Sequence, residues 1–326
     1  MDKKMPAKAA ELGRIWRAFW TARPLITANN LDVFRHLKTP KTARQVASRI
    51  KTDARATAIL LDAVAALGLL KKTGDRYSNG EVANAFLVPS SAYYQGDIIR
   101  HADNLWRSWS RLDDVVRTGN PAPREKTDIG PFIMGMHNLA VFKATPVMDA
   151  AGLDGVKSAL DLGGGPGTYT IEMRKRGVAD VTIFDRPDAV KIARKNLRKH
   201  GVSGVKFLTG DFLTDDIGNG YDLALLSHIM HSNSGEGCLS LLKKVRASLN
   251  SKGRAIIHDF QLEENRTAPL SSALFSVNML VGTPAGRCYT YSEYRSFLRQ
   301  AGFGGIRKTL LGDTIIVEGR IPEGGD

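Results

Sequence analysis

The chain has 326 residues, 43% of them hydrophobic and 24% charged, a balance that excludes wholesale disorder and fibrous repeats and accommodates two domains at roughly 150 residues each. Two cysteines, Cys238 and Cys288, exclude a disulfide framework and make a reducing, cytoplasmic compartment the expectation. No apolar run approaches the roughly 20 residues of a membrane helix, and the amino-terminal MDKKMPAKAAELGR has no apolar signal core. The net charge of +13 sits mainly in residues 1–150, with 23 Lys/Arg against 14 Asp/Glu, while the rest carries 23 against 19. These charges are scattered, which reads as a basic solvated surface with no nucleic-acid or membrane partner.

Residues 1–100 are expected to fold as short helices followed by a hairpin. Thr42 is placed to cap a helix through TARQVASRI and Asp53 the next, ARATAILLDAVAALG. In the second, Ile59, Leu60, Ala63, Val64 and Leu67 fall at helical spacing, and Gly68 supplies the stop. LLKKTGDRYS reads as two strands around a Thr-Gly-Asp turn. Helix, turn, helix, hairpin is the order of a winged helix. A DNA-reading helix would be studded with Lys and Arg. This one is largely apolar, with one Arg after its start, which favours burial at a subunit interface. Residues 101–150 read as helical with a break at GNPAPRE, Trp106, Trp109, Leu112, Val115 and Val116 forming one apolar face.

From residue 157 the rhythm changes. VKSALDLG, VTIFD, VKFLTGD, YDLALLS and RAIIHDF are short apolar runs, most of them separated by the helical patterns TYTIEMRKRG, PDAVKIARKNLRKHG and EGCLSLLKKVRASLN. Alternation of this kind predicts a parallel sheet covered by helices on both faces. A helix over YSEYRSFLRQAGF and an antiparallel hairpin, GIRKTLL and TIIVEG about Gly312-Asp313, close the chain at the sheet edge.

The first strand runs into Asp161-Leu162-Gly163-Gly164-Gly165-Pro166-Gly167, and glycines at a strand-to-helix turn let a ligand approach the backbone. A nicotinamide dinucleotide would bring its pyrophosphate against the Asp161 carboxylate, an unfavourable pairing for a site that needs a bare helix N-terminus. S-adenosyl-L-methionine, with a cationic amino group and no phosphate, suits it. Asp185, ending the second strand, is placed to accept both ribose hydroxyls. Asp211, beside Phe212 after the third strand, is placed to hold the adenine, with the ring lying against the base. After the fourth strand, His228 and His231 are both candidates for a general base working near neutrality. The histidines are dispersed along the chain and no His/Cys/carboxylate group has ligand spacing, so no metal is expected.

Residues 160–167, 185, 211–212 and 231 together resemble the small-molecule O-methyltransferases of the caffeate and acetylserotonin type. The resemblance implies a Rossmann-like class I methyltransferase domain at 151–326, preceded by a winged-helix dimerisation domain at 1–100 and a helical linker at 101–150 that contributes to the substrate pocket. It implies a homodimer, S-adenosyl-L-methionine as donor and S-adenosyl-L-homocysteine as product, and methylation of a hydroxyl on a small aromatic substrate. Its catalytic base falls on His231, with Asp259 as partner. The segment after the base, Ser232-Asn233-Ser234-Gly235, departs from the family's Asp-Trp-Ser-Asp, a second family acid falls at Cys288, and a cofactor-contacting lysine falls at Ser227. Met136, Met279 and Thr283 match positions that line the substrate pocket. Carbon methylation, cofactor binding without transfer, and a DNA-binding regulator are the alternatives.

Overall fold

A computed structural model of the chain describes residues 4–123 and 128–322. Part of the GNPAPRE break and the first three residues lie outside the described residues. The chain divides into two compact units, Met1–Asn104 and Leu105–Asp326, and most of the helical segment expected at 101–150 lies in the second.

The first unit contains α1 (Met5–Trp16), α2 (Ala18–Asn30), α3 (Val33–His36), β1 (Lys41–Thr42), α4 (Ala43–Ile50), α5 (Ala54–Ala66), β2 (Leu70–Thr73), β3 (Arg76–Asn79) and α6 (Glu81–Phe86). The expected caps form. Thr42 Oγ1 accepts from the Gln45 N–H while Gln45 Oε1 accepts from the Thr42 N–H, and Asp53 Oδ1 accepts from the Ala56 N–H at 2.7 Å. Gly68 takes the left-handed conformation that ends α5. The three strands pair in the order β1-β3-β2 over a core of Phe34, Leu37, Val46, Leu61, Val64, Leu70 and Tyr77. Helix α5 buries Thr57, Leu61 and Val64, so of the five residues expected on its apolar face only Val64 is buried, and Ile59 is exposed. The helix is apolar almost all round, and periodicity alone does not select which stripe its neighbours cover. Leu12, Ile15, Trp16, Phe19 and Trp20 on α1 and α2 are also exposed, with the Trp16 and Trp20 rings edge to face at 5.9 Å.

Helix α7 (Gly96–Trp109) crosses the boundary between the units. The apolar face expected from Trp106 to Val116 is broken: α7 ends at Trp109 and α8 (Leu112–Thr118) restarts after Arg111. Trp109, Leu112 and Val115 pack with Val281, whereas Trp106 and Val116 are exposed.

The second unit continues with α9 (Ile129–Ala140), α10 (Ala144–Ala151), β4 (Ser158–Leu162), α11 (Thr168–Lys175), β5 (Asp180–Asp185), α12 (Pro187–Lys199), β6 (Val205–Thr209), β7 (Tyr221–Ser227), α13 (Gly235–Ser248), β8 (Leu249–Phe260), α14 (Leu270–Gly282), α15 (Tyr291–Gln300), β9 (Gly304–Leu311) and β10 (Thr314–Arg320). The sheet order is β6-β5-β4-β7-β8-β10-β9. The first five strands are parallel; β10 runs antiparallel between β8 and β9. Strand β4 is flanked by β5 and β7, and the chain leaves it in one direction and returns on the other side. That reversal opens a crevice at the carboxyl ends of the strands, where open α/β sheets bind ligands. Helix α14 is not anticipated by the sequence reading, although Met279 lies on it. Among the described residues no helix is long and apolar enough to cross a membrane.

Candidate active site

The parallel register brings the ends of β4, β5, β7 and β8 to one edge. Strand β7 pairs through Ser227↔His258, and the His228 N–H extends the ladder to the His258 carbonyl at 2.7 Å. The chain then turns at His228 in the left-handed region (φ 57) and closes a short 3-10 turn over Met230–Ser232. His231 Nδ1 lies 2.6 Å from Asp259 Oδ1. An ionised carboxylate can only accept, so Nδ1 carries a proton, which leaves Nε2 as the accepting nitrogen of the neutral ring. Asp259 Oδ2 accepts from the His231 N–H at 3.2 Å and Oδ1 from the Phe260 N–H at 2.8 Å. Asp259 is fully buried. Burial alone would raise its pKa, but His231 and His228 outweigh burial and hold it well below the usual carboxylate range.

The turn that carries His231 is fixed from several sides. Tyr289 donates to the Asn233 carbonyl at 2.7 Å, the Cys238 thiol to the Met230 carbonyl at 3.2 Å, and Asn233 Nδ2 to the Ile229 carbonyl at 2.9 Å. Gly286 allows the next loop to lie close, since a Cβ there would stand 2.5 Å from the His231 carbonyl oxygen. Cys288, where the resemblance places a second acid, is a buried thiol that burial pushes up to about 11, so it brings no negative charge there near neutrality.

Three of the seven histidines, His228, His231 and His258, gather in space. His228 Nδ1 lies 3.6 Å from Asp259 Oδ1, and the His228 ring meets that of His258 edge to face at 4.8 Å. The nearest atoms of His228, His231 and Asp259 are all within 4.8 Å of one another. The 2.6 Å contact between His231 Nδ1 and Asp259 Oδ1 is a hydrogen bond.

The other end of the crevice has the features of a cofactor cradle. Gly163, Gly165 and Gly167 all have positive φ, and a Cβ on Gly163 would fall 2.2 Å from Ile229 Cδ1. The Gly165 N–H donates to Asp185 Oδ2 and the Arg186 N–H to Oδ1, both at 2.7 Å. Each oxygen keeps accepting capacity, which suits a vicinal diol. Asp161 is buried beneath the loop and accepts from Thr170 Oγ1 at 2.7 Å. Burial pushes its carboxyl up to about 6, and neighbouring Asp185 adds to the rise, so a cationic group there would relieve a buried charge. The edge of the Phe212 ring comes within 3.9 Å of the Cβ position of Gly163. Asp211 is exposed, and its Oδ1 accepts from the Leu213 N–H at 2.9 Å, so it also shapes its own turn. These groups fit an aminoacyl nucleoside without phosphate.

Ser227 is not turned over to a ligand alone: its hydroxyl lies 2.9 Å from His258 Nδ1. Thr283 Oγ1 donates to the Met279 carbonyl at 2.7 Å and accepts from the Gly286 N–H at 2.8 Å, so it terminates α14. Met136 and Met279 are half-buried on α9 and α14. Sequence reasoning missed four groups. Phe260 and Phe275 stack at 4.0 Å and 28°, with Phe275 edge-on to His231 at 4.9 Å. Phe275 stands one helical turn before Met279 on α14, a helix that the sequence reading does not anticipate. His258 was hidden in a strand. Lys244 holds the loop after β6 by donating to the carbonyls of Phe212, Leu213 and Asp215 at 2.9–3.1 Å.

Residues 119–304 match the O-methyltransferase domain family, and residues 14–89 the O-methyltransferase dimerisation domain family. The chain belongs to the O-methyltransferase family. It is 30% identical over 302 residues to a 3-hydroxy-5-methyl-1-naphthoate 3-O-methyltransferase of Streptomyces sahachiroi, covering 88% of this chain and 87% of that protein. It is also 30% identical over 325 residues to the tetracenomycin polyketide synthesis 8-O-methyl transferase of Streptomyces glaucescens, covering 94% of each. The human N-acetylserotonin methyltransferase structure, solved in complex with SAM, superposes with a TM-score of 0.87 at 26% identity, over 96% of this chain and 97% of that one.

Proposed function

We propose that this chain transfers a methyl group from S-adenosyl-L-methionine to a hydroxyl of a small aromatic molecule, with His231 as general base. The observation that carries the reading is the buried His231–Asp259 pair beside the glycine cradle at one edge of the sheet. Naphthoate, polyketide and indole-amine O-methyltransferases among the relatives support an aromatic acceptor. Bound S-adenosyl-L-methionine supplies an electrophilic methyl carbon. Asp161 would offset its ammonium charge, Asp185 would accept from its ribose hydroxyls, and Asp211 with Phe212 would hold its adenine. Ser227 stands where the family has a lysine. Phe260 and Phe275, with Met136, Met279 and Thr283, enclose the aromatic ring and exclude water from the acceptor oxygen. His231 Nε2 removes the hydroxyl proton, and Asp259 holds the imidazole in the required tautomer and supports its charged form. Alignment of oxygen with methyl carbon supplies most of the rate, about 7–11 kcal/mol. S-adenosyl-L-methionine or S-adenosyl-L-homocysteine at about 100 times Kd should stabilise the protein by about 2.7 kcal/mol in a thermal melt; protection by NAD alone would refute the cradle assignment.

The first unit, read as a winged helix, mediates a homodimer. Its match to the dimerisation family and the exposed Leu12, Ile15, Trp16, Phe19 and Trp20 support this. Light scattering at micromolar concentration should give twice the 35.6 kDa chain mass, and Trp16→Asp with Trp20→Asp should give the single chain. A wild-type monomer would contradict the assignment. The two unpaired, buried cysteines support a cytoplasmic setting.

A further inference from the structure

We propose that His228 is a positioning residue that acts through Asp259: it shares the carboxylate with His231 and thereby weakens the hold of His231 on its proton. The inference rests on the reading of His231 as base, and it goes beyond that reading by giving the base a second, solvent-reaching partner.

Three observations carry it. Both imidazoles approach the same oxygen, Asp259 Oδ1, through Nδ1, His231 at 2.6 Å and His228 at 3.6 Å. The His228 backbone adopts a left-handed conformation that costs a non-glycine residue stability, and its N–H is locked to the His258 carbonyl, so the ring is held beside Asp259. Exposure then divides the three: the side chains of Asp259 and His231 are 0% and 9% exposed, and that of His228 is 27% exposed.

The consequence follows from electrostatics. An imidazolium at His231 is stabilised by the Asp259 charge, and the His228 imidazole, 3.6 Å from the same oxygen, competes for part of that charge. His231 therefore releases the acceptor's proton more readily once methyl transfer is complete, and it returns to the neutral form needed for the next turnover. The other titratable groups around the pair do not interfere near neutrality. His258 on β8 is kept neutral by burial, Tyr169 on α11 and Cys238 on α13 are pushed up to about 12, Cys288 to about 11, and Tyr294 on α15 well above its usual value. Lys143, which acts on His258, is paired with Asp313 at 3.1 Å.

The test is a pair of titrations on the full chain. His228→Asn and His228→Gly both tolerate the left-handed backbone, so both keep the turn while removing the imidazole. NMR of ring-labelled histidine follows His231 without any need for turnover, and kcat/KM is measured against pH in parallel. In both variants the His231 midpoint should rise by ~0.5 pH unit or more, and the acid limb of kcat/KM should rise with it, while the high-pH plateau stays within about threefold of wild type. A role in structure alone would lower the plateau at every pH and leave the midpoint in place, and that result would overturn the inference. A midpoint that moves while the rate limb stays put supports the coupling and overturns His231 as the base.

Discussion

Replacing His231 with Gln is expected to lower kcat by about 10²-fold or more while leaving the Kd for S-adenosyl-L-methionine within about twofold of wild type. A base acts on the acceptor oxygen in the transition state, and His231 belongs to the β7–β8 end of the crevice, where it is hydrogen-bonded to Asp259 and ringed by Phe260 and Phe275. Gln keeps a polar side chain of similar reach but cannot accept and return a proton near neutrality. Calorimetry with the donor and initial rates on a turned-over phenol separate the two quantities. Asp259→Asn should damage both turnover and folding. The carboxylate accepts two backbone N–H groups as well as the imidazole, and an amide nitrogen facing a backbone donor leaves buried groups unpaired. Full turnover by His231→Gln would mean that the acceptor arrives already ionised or that another group takes its proton.

Asp161→Asn is expected to separate binding from stability. The wild-type carboxyl is buried and pushed up to about 6 from an ordinary 3.8, so the native state binds the proton more tightly than the unfolded state does. Stability then falls as pH rises from about 4 to about 6 and stays reduced above that range, by at most about 3 kcal/mol at 1.36 kcal/mol per unit. Asn carries no charge and can accept from Thr170 as Asp161 does. The ligand-free variant should therefore melt several degrees higher than wild type at pH 7.5, with the difference vanishing below about pH 4. The same change removes the anion opposite the donor's ammonium, so affinity for S-adenosyl-L-methionine should fall by about tenfold or more. A variant that melts lower at neutral pH and binds the donor normally would remove Asp161 from the cradle.

The alternating strands and helices of the second unit were legible because parallel strands buried on both faces read as short continuous apolar runs: all of Ala159–Leu162 is buried, as is Val181–Phe184. The caps at Thr42 and Asp53 were legible because capping is local chemistry. Helix α14 was not, since Ser271, Ser272 and Ser276 interrupt its apolar pattern. The buried stripe of α5 was not, since a helix that is apolar all round leaves the choice to its neighbours. Within the site, Asp161, Asp185 and His231 could be picked out because each lies near the carboxyl end of a strand or just beyond it. The gathering of His228, His231 and His258 about Asp259 depends on the pairing of β7 with β8, and no spacing along the chain encodes that pairing. The aromatic wall escaped notice for the same reason: Phe260 and Phe275 come from different elements and meet only in the fold.

The central claim is methyl transfer to oxygen, and the most direct measurement is the position of the methyl group in the product. Incubation of the full chain with methyl-labelled S-adenosyl-L-methionine and a panel of hydroxylated aromatics, followed by NMR of the labelled product, should give an aryl methyl ether and stoichiometric S-adenosyl-L-homocysteine. A label found on ring carbon, or binding of the donor with no transfer to any hydroxylated aromatic in the panel, would contradict it.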